Sequence, residues 1–329
     1  MSQSVAFINP KVSTKNVGDF FIESSVKRIV SYEPSTSFDI DPRKPITDED
    51  IDKINSCDFA VIVGTNLWYP HIEKQNRWMI SPEALKKIKV PFIPLGVGTT
   101  IHRNQEAKFD KESKYLIELI HDRCTEASVR DPATYDMVVN AGIKNVRMTG
   151  CPTLYRNLKA NWELNKKNTD KVVLTVRKGQ DKNVNVILQE LIRNNKSVTI
   201  AAQKKQDLFC ARRRFPFLTS PPEALYEFNL DSYEKLVEES YGAIGWRLHG
   251  NMLHLAAGNQ VAFFANCSRV KSFCETFSLP YIYAEDGEKI NKTQLIDTVD
   301  RFLNEDIYDD FKIQYSNYRN EMAKFLDKN

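Results

Sequence analysis

AIGWRLHGNMLHLAAG (residues 243–258) begins like a buried strand and ends like a short buried helix. Arg247 and His249 stand two positions apart where the strand ends, and an extended backbone would point both side chains to one side. Gly250 and Asn251 are then predicted to open the helix, whose free N–H groups attract anions. A guanidinium suits a carboxylate or phosphate, and an imidazole moves a proton near neutral pH. The segment therefore predicts an anion site at a strand–helix junction, unless Arg247 pairs with an acid and His249 caps the helix.

Strand-like apolar runs alternate with helix-like segments along the chain. The runs are VAFI (5–8), FAVIVG (59–64), VPFIPLG (90–96), EASVR (126–130), NVRMTG (145–150), KVVLTVR (171–177), SVTIAAQ (197–203), AIGW (243–246), QVAFFA (260–265) and PYIYA (280–284). Ser81 and Asp131, each followed by proline, are typical helix N-caps, and Asp19 is predicted to cap a helix that runs to residue 30. This alternation predicts parallel sheets with helices on both faces.

The alternation breaks at the polar segment NLKANWELNKKNTD (157–170). We therefore predict an α/β protein of two Rossmann-like domains, residues 1–158 and 159–329, with the last helix packing back on the first domain. In open parallel sheets, ligands bind at the carboxyl ends of the strands, so a cleft between the two sheets is the expected site.

Charge and composition exclude several classes of protein. The 46 Lys+Arg residues exceed the 43 Asp+Glu residues by only three, too few to indicate nucleic acid binding. The N-terminus lacks the features of a signal peptide, and no uncharged apolar segment is long enough to span a membrane. We expect a cytoplasmic protein, with peripheral attachment to a membrane as the alternative.

No metal site is predicted. His249 and His254 are five positions apart, which places them on different faces of a helix. The other histidines, His71, His102 and His121, have no partners at the spacing of metal ligands. No P-loop or complete dinucleotide-binding motif occurs either, so no cofactor is expected.

Two more arginines stand at the carboxyl ends of predicted strands, Arg130 in the first domain and Arg177 in the second. Such positions face the ligand crevice of a doubly wound sheet, although either side chain could instead form an inter-domain or surface salt bridge. The basic run ARRRF (211–215) is typical of a solvated helix face, with contact to a diphosphate-linked acceptor as the alternative.

Small residues at two other places are candidates to line the cleft. Gly96 and Gly98 follow a strand and would allow a ligand close to the backbone. Asn16, Gly18 and Asp19 precede the first helix, where Gly18 could equally serve only the turn.

The segment GWRLHGNMLHLAAGNQVAFFANCSRVKSFCETFSLPYI (245–282) resembles the C-terminal signature of the polysaccharide pyruvyl transferase family. That signature has a G-x-R-L/I-H-G core, a later glycine, a strand, and Ser-Arg before a helix. ASVRDPATYDMVVNAGIKNVRMTGCPTL (127–154) looks like the family's SVRD segment, NVGDFFIESSVKRIV (16–30) like its N-x-GD helix, and PLGVG (94–98) like its G-x-G strand end.

The resemblance implies a glycosyltransferase-B-like enzyme that takes pyruvate from phosphoenolpyruvate. Two hydroxyls of a sugar, free, nucleotide-linked or lipid-diphosphate-linked, would become a cyclic pyruvate ketal with loss of phosphate. The family's donor-site arginine and histidine correspond to Arg247 and His249, and a further donor-site arginine to Arg177. Gly250 and Asn251 join them as donor-binding candidates, and Arg269 of the Ser-Arg pair joins those that line the cleft. The first domain would hold the acceptor and the second the donor.

Three departures from the family pattern limit what can be carried over. Cys151 stands in Gly-Cys-Pro where many members have Gly-Asp-Pro, and Cys267 stands where relatives often carry an acid. Gly64-Thr65-Asn66 replaces a glycine-rich turn. Two competing hypotheses remain: a glycosyltransferase of the same architecture that uses a nucleotide sugar, and a non-catalytic sugar-binding member.

Overall fold

The computed structural model describes residues 4–30, 36–101, 105–156, 158, 160–165, 167–208, 223–225, 230–284 and 288–329. The chain divides into two compact units. Unit 1 comprises Met1–Lys15, Ile22–Lys159 and Ser316–Asn329, and unit 2 comprises Asn16–Phe21 and Ala160–Tyr315. A short N-terminal segment therefore belongs to the second unit, and the C-terminal segment to the first.

The strands of unit 1 are parallel. They are β1 (Ser4–Ile8), β2 (Thr36–Ile40), β3 (Phe59–Val63), β4 (Phe92–Leu95), β5 (Ala127–Val129) and β6 (Val146–Met148). The first four form a sheet in the order β2-β1-β3-β4, and β5 pairs with β6. One parallel bridge from Val97 to Val129 continues the order from β4 to β5.

Local sequence signals explain where the helices of unit 1 begin. The helices are α1 (Val17–Val30), which starts in unit 2, then α2 (Asp48–Asn55), α3 (Pro82–Lys87), α4 (Lys111–His121) and α5 (Pro132–Asn140). Ser81 and Asp131 cap α3 and α5 through their side-chain oxygens, which confirms both predictions. The prediction for Asp19 was wrong, because α1 begins two residues earlier, at Val17, and Asp19 lies in its first turn.

Unit 2 contains a fully parallel sheet of six strands. They are β7 (Lys171–Val176), β8 (Ser197–Ala202), β9 (Glu223–Leu225), β10 (Gly242–Gly245), β11 (Gln260–Ala265) and β12 (Tyr281–Tyr283), in the order β12-β11-β10-β7-β8-β9. The strand order reverses between β7 and β10. A reversal of this kind is the topological switch point at which open α/β sheets bind ligands.

The helices of unit 2 follow its strands in the alternation that the sequence predicts. They are α6 (Asp181–Arg193), α7 (Leu230–Glu239), α8 (Leu248–Ala256), α9 (Ser268–Thr276) and α10 (Lys292–Asn304), followed by α11 (Asp309–Lys328), which ends in unit 1. Helix α8 begins at Leu248, so the predicted start at Gly250 was two residues late. The prediction of an extended backbone through His249 was therefore wrong as well, since only Arg247 is extended, with φ −94° and ψ 100°.

Buried apolar side chains pack against the sheet of each unit and form its hydrophobic core. In unit 2 the stacked rings of Trp246 and Phe264, with centroids 4.7 Å apart, are buried beside the switch point. In unit 1, Trp68 is fully buried in the core. The described part of the chain contains no helix that is both long and apolar enough to cross a membrane.

Candidate functional site

Three arginines gather at the carboxyl edge of the unit 2 sheet. Arg177 follows β7, Arg247 follows β10, and Arg269 lies in the first turn of α9, after β11. Burial lowers the pKa of Arg247, Asp207 raises it, and the positive charges of Arg177 and Arg269 lower it further. The charges of Arg177 and Arg269 therefore act on Arg247 at this edge of the sheet, and such a cluster favours an anionic ligand.

Arg247 is held in place by a buried acid and a backbone carbonyl. Its Nη2 donates to both carboxylate oxygens of Asp207, and its Nε donates to the Val176 carbonyl at 3.2 Å. The side chains of Arg247 and Asp207 are 13% and 1% exposed. Among the described residues, no hydrogen-bond partner engages Nη1 of Arg247. The structural alternative for Arg247 is thus correct in that it pairs with an acid, and within the described part of the chain that acid and a carbonyl engage only Nη2 and Nε.

A buried hydrogen-bond network beneath Arg247 fixes the strand–helix junction. The Arg247 backbone N–H donates to Thr175 Oγ1 at 3.3 Å, and that hydroxyl donates to Asn251 Oδ1 at 2.7 Å. The Asn251 amide nitrogen then donates to the carbonyls of Gly245 and Ala262. Asn251, which the sequence suggested as a donor ligand, is fully buried and holds β10, β11 and α8 together.

His249 lies in the first turn of α8 and is only 4% exposed. Its Nδ1 is 3.1 Å from the position that a Cβ of Gly18 would occupy, and Gln203 Oε1 and Asn16 Nδ2 are 3.2 and 3.4 Å from the same point. An imidazole and two amides therefore converge where Gly18 has no side chain. Because His249 is within the helix, its predicted role as a cap is wrong.

Gln203 packs between two glycines of unit 2. A Cβ at Gly250 would lie 2.8 Å from the Gln203 amide nitrogen, and a Cβ at Gly18 would lie close to its amide oxygen. The side chain is buried, and its amide nitrogen has no hydrogen-bond partner among the described residues. Gly250 thus allows the Gln203 amide to approach the start of α8 closely, which the sequence did not suggest.

Two helices begin at this edge without a side-chain cap. The N-cap residues Arg247 of α8 and Cys267 of α9 make no side-chain hydrogen bond to the helix that follows. Uncapped N–H groups at a helix start attract negative charge. Together with the three arginines, they give unit 2 the means to bind a carboxylate or phosphate.

The corresponding edge of unit 1 is built differently. Arg130 donates to Asn66 Oδ1, and its Nε lies 3.8 Å from the Asp131 carboxylate. A Cβ at Gly98 would lie only 2.3 Å from that Nε, so the arginine packs directly on the glycine backbone. Gly96 has a φ of +69° and abuts Pro152. Arg130 is therefore held among protein groups, and its ion pair with Asp131 is buried within unit 1.

The structure thus brings some predicted residues together and separates others. Unit 2 collects Arg177, Arg247, Arg269, His249, Gly250, Asn251, Asn16, Gly18 and Asp19, whereas Gly96, Gly98 and Arg130 belong to unit 1. The basic run 211–215 lies outside the described residues. Within the described residues, no group of His, Cys, Asp and Glu side chains could hold a metal ion.

Sequence reasoning missed Asp207 and Gln203. Gln203 directly follows β8, in the same strand-end position that singled out Arg177, so that signal was available. Asp207 pairs with a residue 40 positions away and has no local pattern that would reveal the contact.

The sequence model of polysaccharide pyruvyl transferases matches residues 16–268. This chain belongs to that family. The matched region starts at Asn16 and includes Arg177, Arg247 and His249, and membership identifies the protein as a transferase. A comparison with curated protein sequences finds no significant match.

Solved structures confirm the predicted glycosyltransferase-B-like fold class. The UDP-GlcNAc 2-epimerase from Neisseria meningitidis bound to UDP-GlcNAc is 11% identical, with a TM-score of 0.53 and full coverage of both chains (100% of each). The enzyme of the same name from Methanocaldococcus jannaschii is 11% identical, with a TM-score of 0.53 over 96% of this chain and 98% of that one. The S. aureus MnaA–UDP co-structure is 11% identical, with a TM-score of 0.53 over 95% and 91%. At this identity the likeness concerns the fold alone.

Proposed function

We propose that this transferase moves pyruvate from phosphoenolpyruvate to two hydroxyls of a sugar in a polysaccharide or its precursor. The observation that carries the proposal is the cluster of Arg177, Arg247 and Arg269 at the switch point of unit 2. Phosphoenolpyruvate carries a carboxylate and a phosphate, which need cations in fixed positions. The three guanidiniums and the uncapped starts of α8 and α9 offer that arrangement.

The reaction requires two carbon–oxygen bonds to form at the same carbon. One acceptor hydroxyl adds to the enol carbon, and the methylene carbon gains a proton to become a methyl group. The second hydroxyl then displaces phosphate from that carbon and closes the ketal. One of the two hydroxyl protons balances the new methyl group, and the other leaves with the phosphate.

His249 is the proposed acid or base for these proton transfers. It occupies the first turn of α8, two residues after Arg247. Its Nδ1 shares one small space with the amides of Asn16 and Gln203. An imidazole both accepts and returns a proton near neutral pH, which suits a reaction that must do both.

The proposal includes no cofactor, and phosphoenolpyruvate serves as co-substrate. We place the acceptor on unit 1 and leave its carrier, nucleotide or lipid diphosphate, to experiment. A cytoplasmic location, with peripheral membrane attachment for a lipid-linked acceptor, fits a donor drawn from central metabolism.

The direct test incubates the protein with phosphoenolpyruvate and a panel of free, nucleotide-linked and lipid-linked glycans. We expect release of inorganic phosphate, together with a mass gain of one pyruvate ketal on the true acceptor. Titration calorimetry separates the alternatives. Saturable heat with a nucleotide sugar and none with phosphoenolpyruvate would favour a glycosyltransferase. Glycan binding without phosphate release from any acceptor would favour a non-catalytic member.

A further inference from the structure

Asp207 joins the ends of three neighbouring strands in unit 2. Its Oδ1 accepts from the backbone N–H of Lys178, after β7, and its Oδ2 accepts from that of Lys204, after β8. Both oxygens also accept from Arg247, after β10. We propose that Asp207 is a positioning residue for the donor site, which acts through Arg247. This inference rests on the proposed function.

The charge of Asp207 is unexpected at such a place. A carboxylate paired with Arg247 lowers the positive potential that attracts an anionic donor, so by charge alone it weakens binding. Its burial is costly as well, because an ion leaves water. Two backbone N–H groups and one guanidinium compensate that cost and leave the acid almost fully buried, at 1% exposure.

Asp207 can instead support donor binding by fixing the orientation of Arg247. Asp207 and the Val176 carbonyl together occupy Nη2 and Nε of Arg247, which fixes the plane of the guanidinium. Among the described residues nothing bonds to Nη1, so that edge is presented in one orientation. Setting the plane in advance reduces the entropy that is lost when a carboxylate or phosphate binds the guanidinium.

Charge and positioning predict opposite signs for the same substitution. Asp207→Asn removes a negative charge from an anion site, so attraction alone predicts tighter binding of phosphoenolpyruvate. Positioning predicts weaker binding, because the amide can no longer accept from both the backbone N–H groups and the guanidinium. We expect the Kd for phosphoenolpyruvate to rise about tenfold, equivalent to ~1.4 kcal/mol.

The experiment is a double-mutant cycle on the full chain, measured by titration calorimetry with phosphoenolpyruvate and, separately, with inorganic phosphate. The variants are Asp207→Asn, Arg247→Met and the double variant. If Asp207 acts through Arg247, its substitution in the Arg247→Met background should change Kd by less than about twofold. The proposal would be overturned if Asp207→Asn raised Kd by the same factor in the Arg247→Met background as in the wild type. Unchanged or tighter binding by the single variant Asp207→Asn would overturn it as well.

Glu126→Gln is the matched control. Glu126 is also a buried acid, and it accepts from Arg147 Nε at 2.6 Å and from Lys328 Nζ at 2.9 Å within unit 1. Its substitution should lower the melting temperature without changing either Kd. An equal loss of affinity in this variant would show that any broken buried ion pair weakens binding, which contradicts the proposal.

Two further results keep the outcomes distinct. Should Asp207→Asn fail to fold, Asp207→Glu keeps the charge but moves the carboxylate, so positioning again predicts weaker binding and charge alone predicts no change. Wild-type protein that binds inorganic phosphate but not phosphoenolpyruvate would refute the proposed function, while the cycle with phosphate still decides the role of Asp207. Binding of neither ligand would refute both.

Discussion

Arg130 and Arg247 occupy equivalent places in the two units but meet different surroundings. Arg130 directly follows strand β5, and Arg247 lies two residues after strand β10. Each arginine has a buried acid beside it, Asp131 and Asp207 respectively. Arg130 packs on Gly98 and bonds to Asn66, so protein groups surround it. Arg247 has two more arginines near it and two uncapped helix starts at the same edge. We infer from the comparison that an arginine at a strand end belongs to a ligand site where other cations and helix starts gather beside it, and not where protein groups enclose it.

The largest effect should come from His249→Asn. Asn keeps a hydrogen-bonding group but cannot exchange a proton near neutral pH. We expect turnover to fall roughly 10²–10⁴-fold, with a much smaller change in phosphoenolpyruvate affinity, because the arginines still hold the donor. The pH–rate profile should also lose one limb. A lower melting temperature with turnover and pH dependence intact would make His249 structural.

Arg247→Lys and Arg130→Lys test the comparison directly. Lys keeps the charge but loses the planar fork. At Arg247 we expect a loss of about 2–3 kcal/mol in transition-state stabilisation, the scale of one electrostatic donor. At Arg130 we expect a lower melting temperature with unchanged affinity for phosphoenolpyruvate. Calorimetry and steady-state kinetics on both variants provide the measurement, and equal kinetic defects would remove the distinction between the two edges.

The buried histidine of unit 1, His121, should affect the pH dependence of stability, whereas His249 of unit 2 should affect that of turnover. Burial lowers the pKa of His121 in unit 1 to about 4, and its ring packs against Trp68. The His121 imidazole binds a proton more tightly in the unfolded state than in the folded state. The free energy of unfolding is therefore highest above pH 6.5, where the imidazole is neutral in both states, and it decreases as the pH falls towards 4. Between pH 8 and pH 5 the loss should be about 2 kcal/mol. Urea unfolding at both pH values should show a shallower pH dependence for His121→Gln, and an unchanged dependence would contradict the assignment.

The smallest effect concerns two glycines. Gly18→Ala places a methyl group 3.1 Å from His249 Nδ1 and 3.2 Å from Gln203 Oε1. The methyl group should displace the His249 imidazole by a few tenths of an ångström. We expect this displacement to reduce turnover about tenfold, less than the ~10²-fold effect of a 1 Å displacement. Gly98→Ala in unit 1 should instead lower the melting temperature, since its methyl group would overlap the Arg130 side chain. Normal turnover in Gly18→Ala would show that this space is not part of the site.

Local patterns predicted most of the fold. The side chains of Ser81 and Asp131 set the starts of α3 and α5 by accepting from backbone N–H groups three residues later, and the apolar runs became parallel strands. The exposed and polar strand β2 produced no such signal, whereas α2 begins with a capping box of Thr47 and Asp50, a local signal that was missed. Helix starts at Val17 and Leu248 were misplaced because tertiary contacts, such as the Val17 N–H to the Gln203 carbonyl, override local caps.

The site was only partly predictable for the same reason. Strand-end position and family motif identified Arg177, Arg247 and His249. Asn16 and Gly18 belong to unit 2 because this segment lies against Gln203 and His249, which follow roughly 190 and 230 positions later in the chain. Asp207 depends likewise on a distant partner. One sequence carries no signal for such pairs.

A crystal structure of the protein with phosphoenolpyruvate would locate the donor. We predict that the donor's carboxylate and phosphate contact Arg177, Arg247 and Arg269 in unit 2, with His249 within hydrogen-bonding reach of the reacting atoms. Phosphoenolpyruvate bound at the Arg130 edge of unit 1, beyond reach of Arg247 and His249, would contradict it.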